Sequence, residues 1–373
     1  MLKIQALLFS VLVSRAGAPE SPSGRRPGDP MIACALFAMS VLLAVGGCAT
    51  PIRETSLRVA EIGSFHIGGR PVTLSGLPTR EFVFTAGAAP FVIDPNGEFE
   101  VEQMYAQYVK LAAPSAKYPL LLMHGGGLTG VTWETTPDGR PGWQMFFLRA
   151  GHTVYVSDAV ERGRASWARY PEIWKSEPIF RTKKEAWELF RIGTYDPNPA
   201  QRTTHPGQRF PITTFDQFMK QGVPRWGTND GPTQAGYDAF VQKICPCVIV
   251  AHSQAGNFAF NAALRAPDKI KALVAVEPSG APDPAKMEVA RVKNVPHLWV
   301  WGDNVDKFPL WGRIIPAATR YREALVAAGG VADWLDLPKA GIRGNTHMLM
   351  MDDNSDDVAR RIQDWITTQG LMK

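Results

Sequence analysis

Val248-Ile249-Val250-Ala251-His252-Ser253-Gln254-Ala255-Gly256 opens with four apolar residues and then breaks into small and polar ones. A run that is apolar on both faces suits a strand covered by helices on each side of its sheet. Residues 257–266, NFAFNAALRA, read as a helix, so residues 251–256 fall on a sharp strand-to-helix turn. A turn of this kind holds its central residue in strain, lifts Ser253 Oγ above the sheet and closes only over small neighbours. Alanines at 251 and 255 replace the outer glycines of the usual G-x-S-x-G pattern, so the literal pattern fails while its steric requirement is kept. Taken alone, Ser253 reads equally well as an ordinary helix N-cap.

Outward from this turn, short apolar runs alternate with helical patterns from about residue 57 onward. That alternation predicts an α/β protein on a mostly parallel sheet. The expected strands are 82–85, 104–111, 119–123, 153–157, 248–251, 272–276 and 298–301, with helices at 233–243, 257–266 and 356–367. Ligands of such sheets bind beyond the carboxyl ends of the strands.

The 373 residues are 45% hydrophobic, 20% charged and 10% aromatic, which is globular usage and excludes a disordered chain, a collagen or a coiled-coil rod. Forty Lys plus Arg against 35 Asp plus Glu leave a charge of +5. The basic residues form no dense runs, so no nucleic-acid partner is expected. One core is expected, interrupted between about 161 and 231 by a stretch rich in Pro, Arg and Trp (Trp167, Trp174, Trp187, Trp226), read as an inserted cap. The stretch holds twelve basic and eight acidic residues; a solvated surface accounts for this excess, with anionic substrates as the alternative. Its tryptophans are expected in a small core of their own rather than around a substrate mouth.

Residues 1–47 read as leader rather than fold. The apolar run MIACALFAMSVLLAV (31–45) follows Arg25 and Arg26, is too short for a comfortable membrane span, and ends in Val45-Gly46-Gly47-Cys48. This resembles a bacterial lipoprotein box, which implies cleavage before Cys48 and a lipid on its thiol, hence a membrane contact through an N-terminal anchor. The alternative is an ordinary secretory signal cut a few residues away. Either way the body, 48–373, is expected to be exported, to the periplasm or outer membrane as a lipoprotein or otherwise secreted. A second apolar stretch, 2–13, leaves the translation start open. Of the remaining cysteines, Cys245 and Cys247 form a Cys-x-Cys loop that is very tight for a disulfide, although an oxidising compartment permits one, and the sequence leaves their bonding open; they lack partners at zinc spacing, so no metal site is expected.

His124-Gly125-Gly126-Gly127 follows the apolar run 119–123, well upstream of the serine. Glycine amides with unhindered N–H groups suit the stabilisation of a carbonyl oxygen that becomes negative in a tetrahedral intermediate. Gly127 and Gln254 are the expected donors, with His124, Gly125 and Gly126 completing the segment. A serine needs an imidazole to take its proton and a carboxylate to orient that imidazole. His347, in Gly344-Asn345-Thr346-His347-Met348, lies in a loop before the last helix and is the expected base, whereas His297 enters a strand and His252 reads as a supporting neighbour. Two acids compete. Asp303, after the strand 298–301, has the more usual station; Glu277, after 272–276, would be a buried carboxylate beside a proline turn, which demands a partner.

With HGGGLTGVTWETTPDGRPGWQMFFLRAGHTVYVSDAVERGRAS (124–166), AHSQAG, VAVEPSG and GNTHM in hand, the chain resembles an α/β-hydrolase, and more narrowly a small subgroup of secreted bacterial carboxylesterases, over most of the body. The resemblance implies a triad of Ser253, Glu277 and His347, with the glutamate after the sixth strand, and so overrules the station that favours Asp303. Members of that subgroup carry two adjacent, disulfide-linked cysteines where this chain has Gly126 and Gly127. The backbone donors need no sulfur.

The expected activity is that of a serine carboxylesterase acting through an acyl-enzyme on a small-molecule or polymeric ester, without cofactor or metal. Alternatives with the same triad are a lactonase, an amidase or a polyester hydrolase. From another class, the rival is a non-catalytic binding lipoprotein on the same fold. Nothing in the sequence indicates oligomeric state.

Overall fold

The structure, a computed structural model, describes residues 56–373. The leader with its apolar run 31–45, and Cys48, lie outside the described residues. The frame is an eight-stranded sheet. Its strands are β1 (Val59–Leu74), β2 (Gly97–Leu111), β3 (Leu120–Met123), β4 (Val154–Asp158), β5 (Cys247–His252), β6 (Ile270–Val276), β7 (His297–Trp301) and β8 (Ala332–Asp336). They lie in the order β1-β2-β4-β3-β5-β6-β7-β8. Pairing is antiparallel from β1 to β2 and from β2 to β4, and parallel from β4 through to β8.

The central strands form because each supplies apolar side chains to both faces. Every residue of β3, β4, β5 and β7 is buried. With the period of two, Leu121, Met123, Ile249 and Ala251 join one core with residues of α2 (Asp230–Ile244), α3 (Gln254–Arg265) and α4 (Trp311–Ala327). Leu120, Leu122, Val248 and Val250 join a second core with residues of α1 (Trp143–Arg149) and α5 (Ser355–Thr368). The two faces are thus covered separately, as a parallel sheet requires.

Several elements differ from the sequence expectations. Residues 82–85 do not join the main sheet: Arg80–Phe82 pairs only with Phe91–Ile93, and the Thr85 carbonyl closes a turn with Ala88 N (3.0 Å). β1 was not anticipated because its side chains are exposed or half-buried and Gly68, Gly69 and Pro71 interrupt any alternation. β8 escaped for a similar reason, since only Ala332 of its five residues is buried. The strand expected at 104–111 begins earlier, at Gly97. Pro119 stays outside β3 because it has no N–H, although its carbonyl accepts from Val248 N at 2.9 Å. Cys245 and Cys247 are joined by a disulfide across Pro246, where α2 ends and β5 begins (Cα–Cα 4.4 Å).

Between β4 and α2 the chain forms short elements only, among them the helix Lys183–Leu189, which Thr182 caps by accepting from Glu185 N at 3.1 Å. Trp187, Phe190, Phe210, Phe215 and Phe218 from this stretch belong to the second core. Trp174 and Trp226 pack with Val101 and Ala168 in a small cluster, and Trp167 is half exposed with its ring edge-on to Trp226 (5.1 Å).

Candidate active site

The carboxyl ends of β3, β5, β6 and β7 converge on one small cavity and its supports. Ser253 stands between β5 and α3 at φ 53°, ψ −118°, a conformation that costs a non-glycine residue on the order of 1–3 kcal/mol and survives only where its surroundings impose it. Here they do. Ser253 N–H donates to the Val276 carbonyl, and its own carbonyl accepts from Gly256 N and Ser279 N, each at 3.0 Å. The turn has no room for a side chain at 256, where an added Cβ would lie 2.7 Å from Pro278 Cβ.

Glu277 directly follows β6, has a positive φ of 49° and is fully buried. Its Oε2 lies 3.1 Å from His347 Nδ1 and 3.0 Å from an Arg191 Nη, while Oε1 accepts from the other Arg191 Nη at 2.7 Å and from the Gly302 amide. Burial alone would raise the pKa of this carboxyl, but Arg191 and His347 outweigh it and hold it down at about 2. With Glu277 ionised, Nδ1 of His347 carries the proton and Nε2 is left as a base.

The loop bearing His347 is fixed from several sides. Asp352 accepts from Thr346 N (2.8 Å), Thr346 Oγ1 (2.7 Å) and Asn345 Nδ2 (2.9 Å), and His347 N donates to the Phe190 carbonyl (3.0 Å). Asp303, the competing acid, has its carboxylate on the amides of Asn304 (2.8 Å) and Gly344 (2.9 Å); it supports the loop and is not the imidazole's partner. The His347 ring lies against Trp311 (4.5 Å) and Phe190 (5.5 Å). Burial lowers its pKa to about 4, against the opposing pull of Glu277.

His252 Nε2 donates to the His347 carbonyl at 2.9 Å, so this residue, adjacent to the serine, serves the loop. His124 accepts from Ala159 N through Nε2 (3.0 Å), and its Nδ1 lies 2.8 Å from the Gly125 carbonyl, which ties the glycine segment to the end of β4. Burial brings the His124 pKa down to about 4.

Ser253 and His347 border the same cavity of about 90 Å3, together with Gly125, Gly126 and Gln254. Gly127 does not line it; its carbonyl accepts from Val223 N at 3.0 Å. The four tryptophans of the 161–231 stretch also stay away from this cavity, whose indole is Trp311. A hydroxyl on a strained turn, a neutral imidazole and an ionised carboxylate can together generate an alkoxide-like nucleophile and shuttle its proton.

Sequence reasoning missed Arg191, Asp352, Arg181 and Arg225. The last two also line the cavity. Each follows an apolar or proline-containing run (Ile179-Phe180, Leu189-Phe190, Val223-Pro224, Met348–Met351) and belongs to no motif. The only signal lay in Glu277 itself, since a carboxylate at the end of a buried strand requires a cation somewhere.

No protein-family model matches the chain. A solved structure described as a novel bacterial esterase is 34% identical, with a TM-score of 0.72; the match covers 84% of this chain and 97% of that one. A curated fungal protein (strain ATCC 74256) named probable secreted lipase phiG is 27% identical over 326 residues, 74% of this chain and 88% of its own length.

Replacing Arg191 with Met leaves Glu277 buried without its cation. Unfolding free energy should fall by about 3–5 kcal/mol, read from the urea midpoint; a loss below about 1 kcal/mol would mean that Glu277 does not depend on this pair.

Proposed function

Because this chain belongs to the α/β-hydrolase esterases, we propose that it is a serine carboxylesterase in which Ser253, His347 and Glu277 form the catalytic triad. The observation that carries this reading is the 3.1 Å contact between His347 Nδ1 and the buried Glu277, with Ser253 on the same cavity. Ser253 Oγ attacks the ester carbonyl as His347 Nε2 takes its proton. The imidazolium that forms is stabilised by Glu277 and then protonates the departing alcohol. Water, activated by the same imidazole, releases the acid from the acyl-serine.

The oxyanion is held by the amides of Gln254 and of the glycine segment. In that segment Gly126 takes the role expected of Gly127, since Gly126 borders the cavity. Arg191 positions Glu277, and Asp303 and Asp352 position the His347 loop. The 161–231 stretch acts as a cap by supplying Arg181, Leu189, Phe190 and Arg225 to the cavity wall. No cofactor enters this mechanism. A cavity of about 90 Å3 suits compact acyl groups better than a polymer chain.

The protein is exported, with Cys48 as the lipid-bearing residue; the name of the fungal relative, a secreted lipase, supports export. Labelled palmitate should enter the full-length chain in a bacterial host and be absent from Cys48→Ala. Equal labelling of both would remove the anchor from this account.

Hydrolysis of a series of p-nitrophenyl esters tests the triad. Turnover should peak at short acyl chains. Ser253→Ala should lose about a millionfold in kcat and Glu277→Gln about ten-thousandfold, while Asp303→Asn keeps most of the activity. If Asp303→Asn were the inactive variant and Glu277→Gln the active one, the assignment of the acid would be reversed.

His347 works as a base only when neutral, and burial has moved its protonation down to about 4. Glu277, at about 2, remains charged throughout. The acid limb of kcat/KM should therefore fall at about pH 4 instead of near the ordinary 6.5, as read from p-nitrophenol after alkaline quenching. A limb centred at the ordinary value would contradict the burial of this imidazole in the working enzyme.

A further inference from the structure

Two arginines of the 161–231 stretch face the reacting serine. Residues 179–181 and 223–225 run side by side, with Ile179 N on the Arg225 carbonyl (2.7 Å) and Arg225 N on the Ile179 carbonyl (3.0 Å). Val223 N holds the second of these segments to the Gly127 carbonyl (3.0 Å). Arg225 is thereby set over the glycine segment, where a Cβ placed on Gly126 would come within 3.0 Å of its Nη1.

The charges around Arg225 do not balance it. Arg181 pairs with Glu185 (2.7 Å). Glu277 is occupied by Arg191 and His347. Glu161 accepts from Ala168 N, and Asp230 accepts from Gln254 Nε2 at 3.4 Å. Arg162, behind the wall, donates to the Pro224 carbonyl (3.1 Å), and its pKa falls to about 10 through burial and then through repulsion by Arg225. Among the described residues the Arg225 guanidinium has no carboxylate partner. Its Nε, like that of Arg181, is buried without a hydrogen bond.

A planar fork with a buried, unused N–H is costly to desolvate unless a ligand completes it, and the group that matches the fork in shape and charge is a carboxylate. Resting on the esterase reading, we propose that the enzyme selects esters that carry a free carboxylate, namely acid monoesters of short dicarboxylic acids, with Arg225 as the specificity-determining anchor and Arg181 as its second contact. The carboxylate lies on the Arg225 guanidinium, whose Nη1 is beside the glycine segment, while the ester carbonyl faces Ser253 and the Gly126 and Gln254 amides. This gives the basic excess of the stretch a place in substrate choice.

The test compares monoethyl succinate with ethyl 4-methylpentanoate, which replaces the carboxylate by an uncharged isopropyl group with the same number of heavy atoms, by ethanol release at neutral pH. Wild type should prefer the anion by about tenfold or more in kcat/KM, and Arg225→Gln should lower that ratio by about 10–100-fold. Arg225→Lys, which keeps charge without the fork, should fall between the two, and Arg181→Gln should produce a smaller drop that remains readable if Arg225→Gln does not fold. A wild-type ratio of one or less, or a ratio unchanged in Arg225→Gln, overturns the proposal. Calorimetry with Ser253→Ala and the same two esters separates this from the underlying reading. Tighter binding of the anion without wild-type turnover would sink the esterase and keep the anion site, whereas equal binding would sink the anion site alone.

Discussion

The ion pair between Glu277 and Arg191 is the constraint on which the rest of the site depends. Both side chains are fully buried, and two charges removed from water are tolerable only with close geometry and every lone pair used. Glu277 meets that condition through Arg191, His347 and the Gly302 amide. Arg191 completes it by donating through Nε to the Asp303 carbonyl at 2.7 Å and by lying 4.8 Å from the centre of the Trp311 ring. A single carboxylate therefore joins the end of β6, the turn after β7, the loop of His347 and the stretch between β4 and α2. Without the arginine, the pull that burial exerts on Glu277 towards its neutral form would be opposed by His347 alone among the named groups.

The two acids of the sheet's carboxyl edge divide the work by what surrounds them. Asp303 sits where backbone amides point at it and so fixes chain geometry. Glu277 sits where a cation and a ring nitrogen converge. Residue type and strand station could not separate these roles, because the difference arises from Arg191, more than eighty positions away from Glu277 in the chain.

What was legible in the sequence was local. The apolar runs of β3, β5, β6 and β7, the turn at Ser253, the glycines after β3 and the loop of His347 each declare themselves within about ten residues, because burial on both faces and steric closure leave a dense pattern. β1, with exposed side chains and a Gly-Gly-Arg-Pro interruption, leaves no such pattern. Residues 82–85 look like a strand by composition, yet Phe82 and Phe84 are exposed and only three residues on each side form the small hairpin. Which glycines of 125–127 border the cavity was beyond sequence: Gly125 and Gly126 do, whereas the Gly127 carbonyl is taken by Val223 N. The resemblance supplied Glu277 where spacing had favoured Asp303.

Arg191 also has a bearing on how the stretch between β4 and α2 could be altered. Its short elements and its place between β4 and α2 give it the look of a removable cover, a module to be trimmed or exchanged when a new specificity is wanted. But the counter-ion of the acid is part of it, the Phe190 carbonyl holds the His347 amide at 3.0 Å, and Trp187 and Phe190 are embedded in the core beneath the sheet. The stretch and the Glu277–His347 contact are thus one physical unit: exchanging the stretch as a block removes the partners of Glu277 and of the His347 loop, whereas Arg181 and Arg225 reach the cavity without touching either.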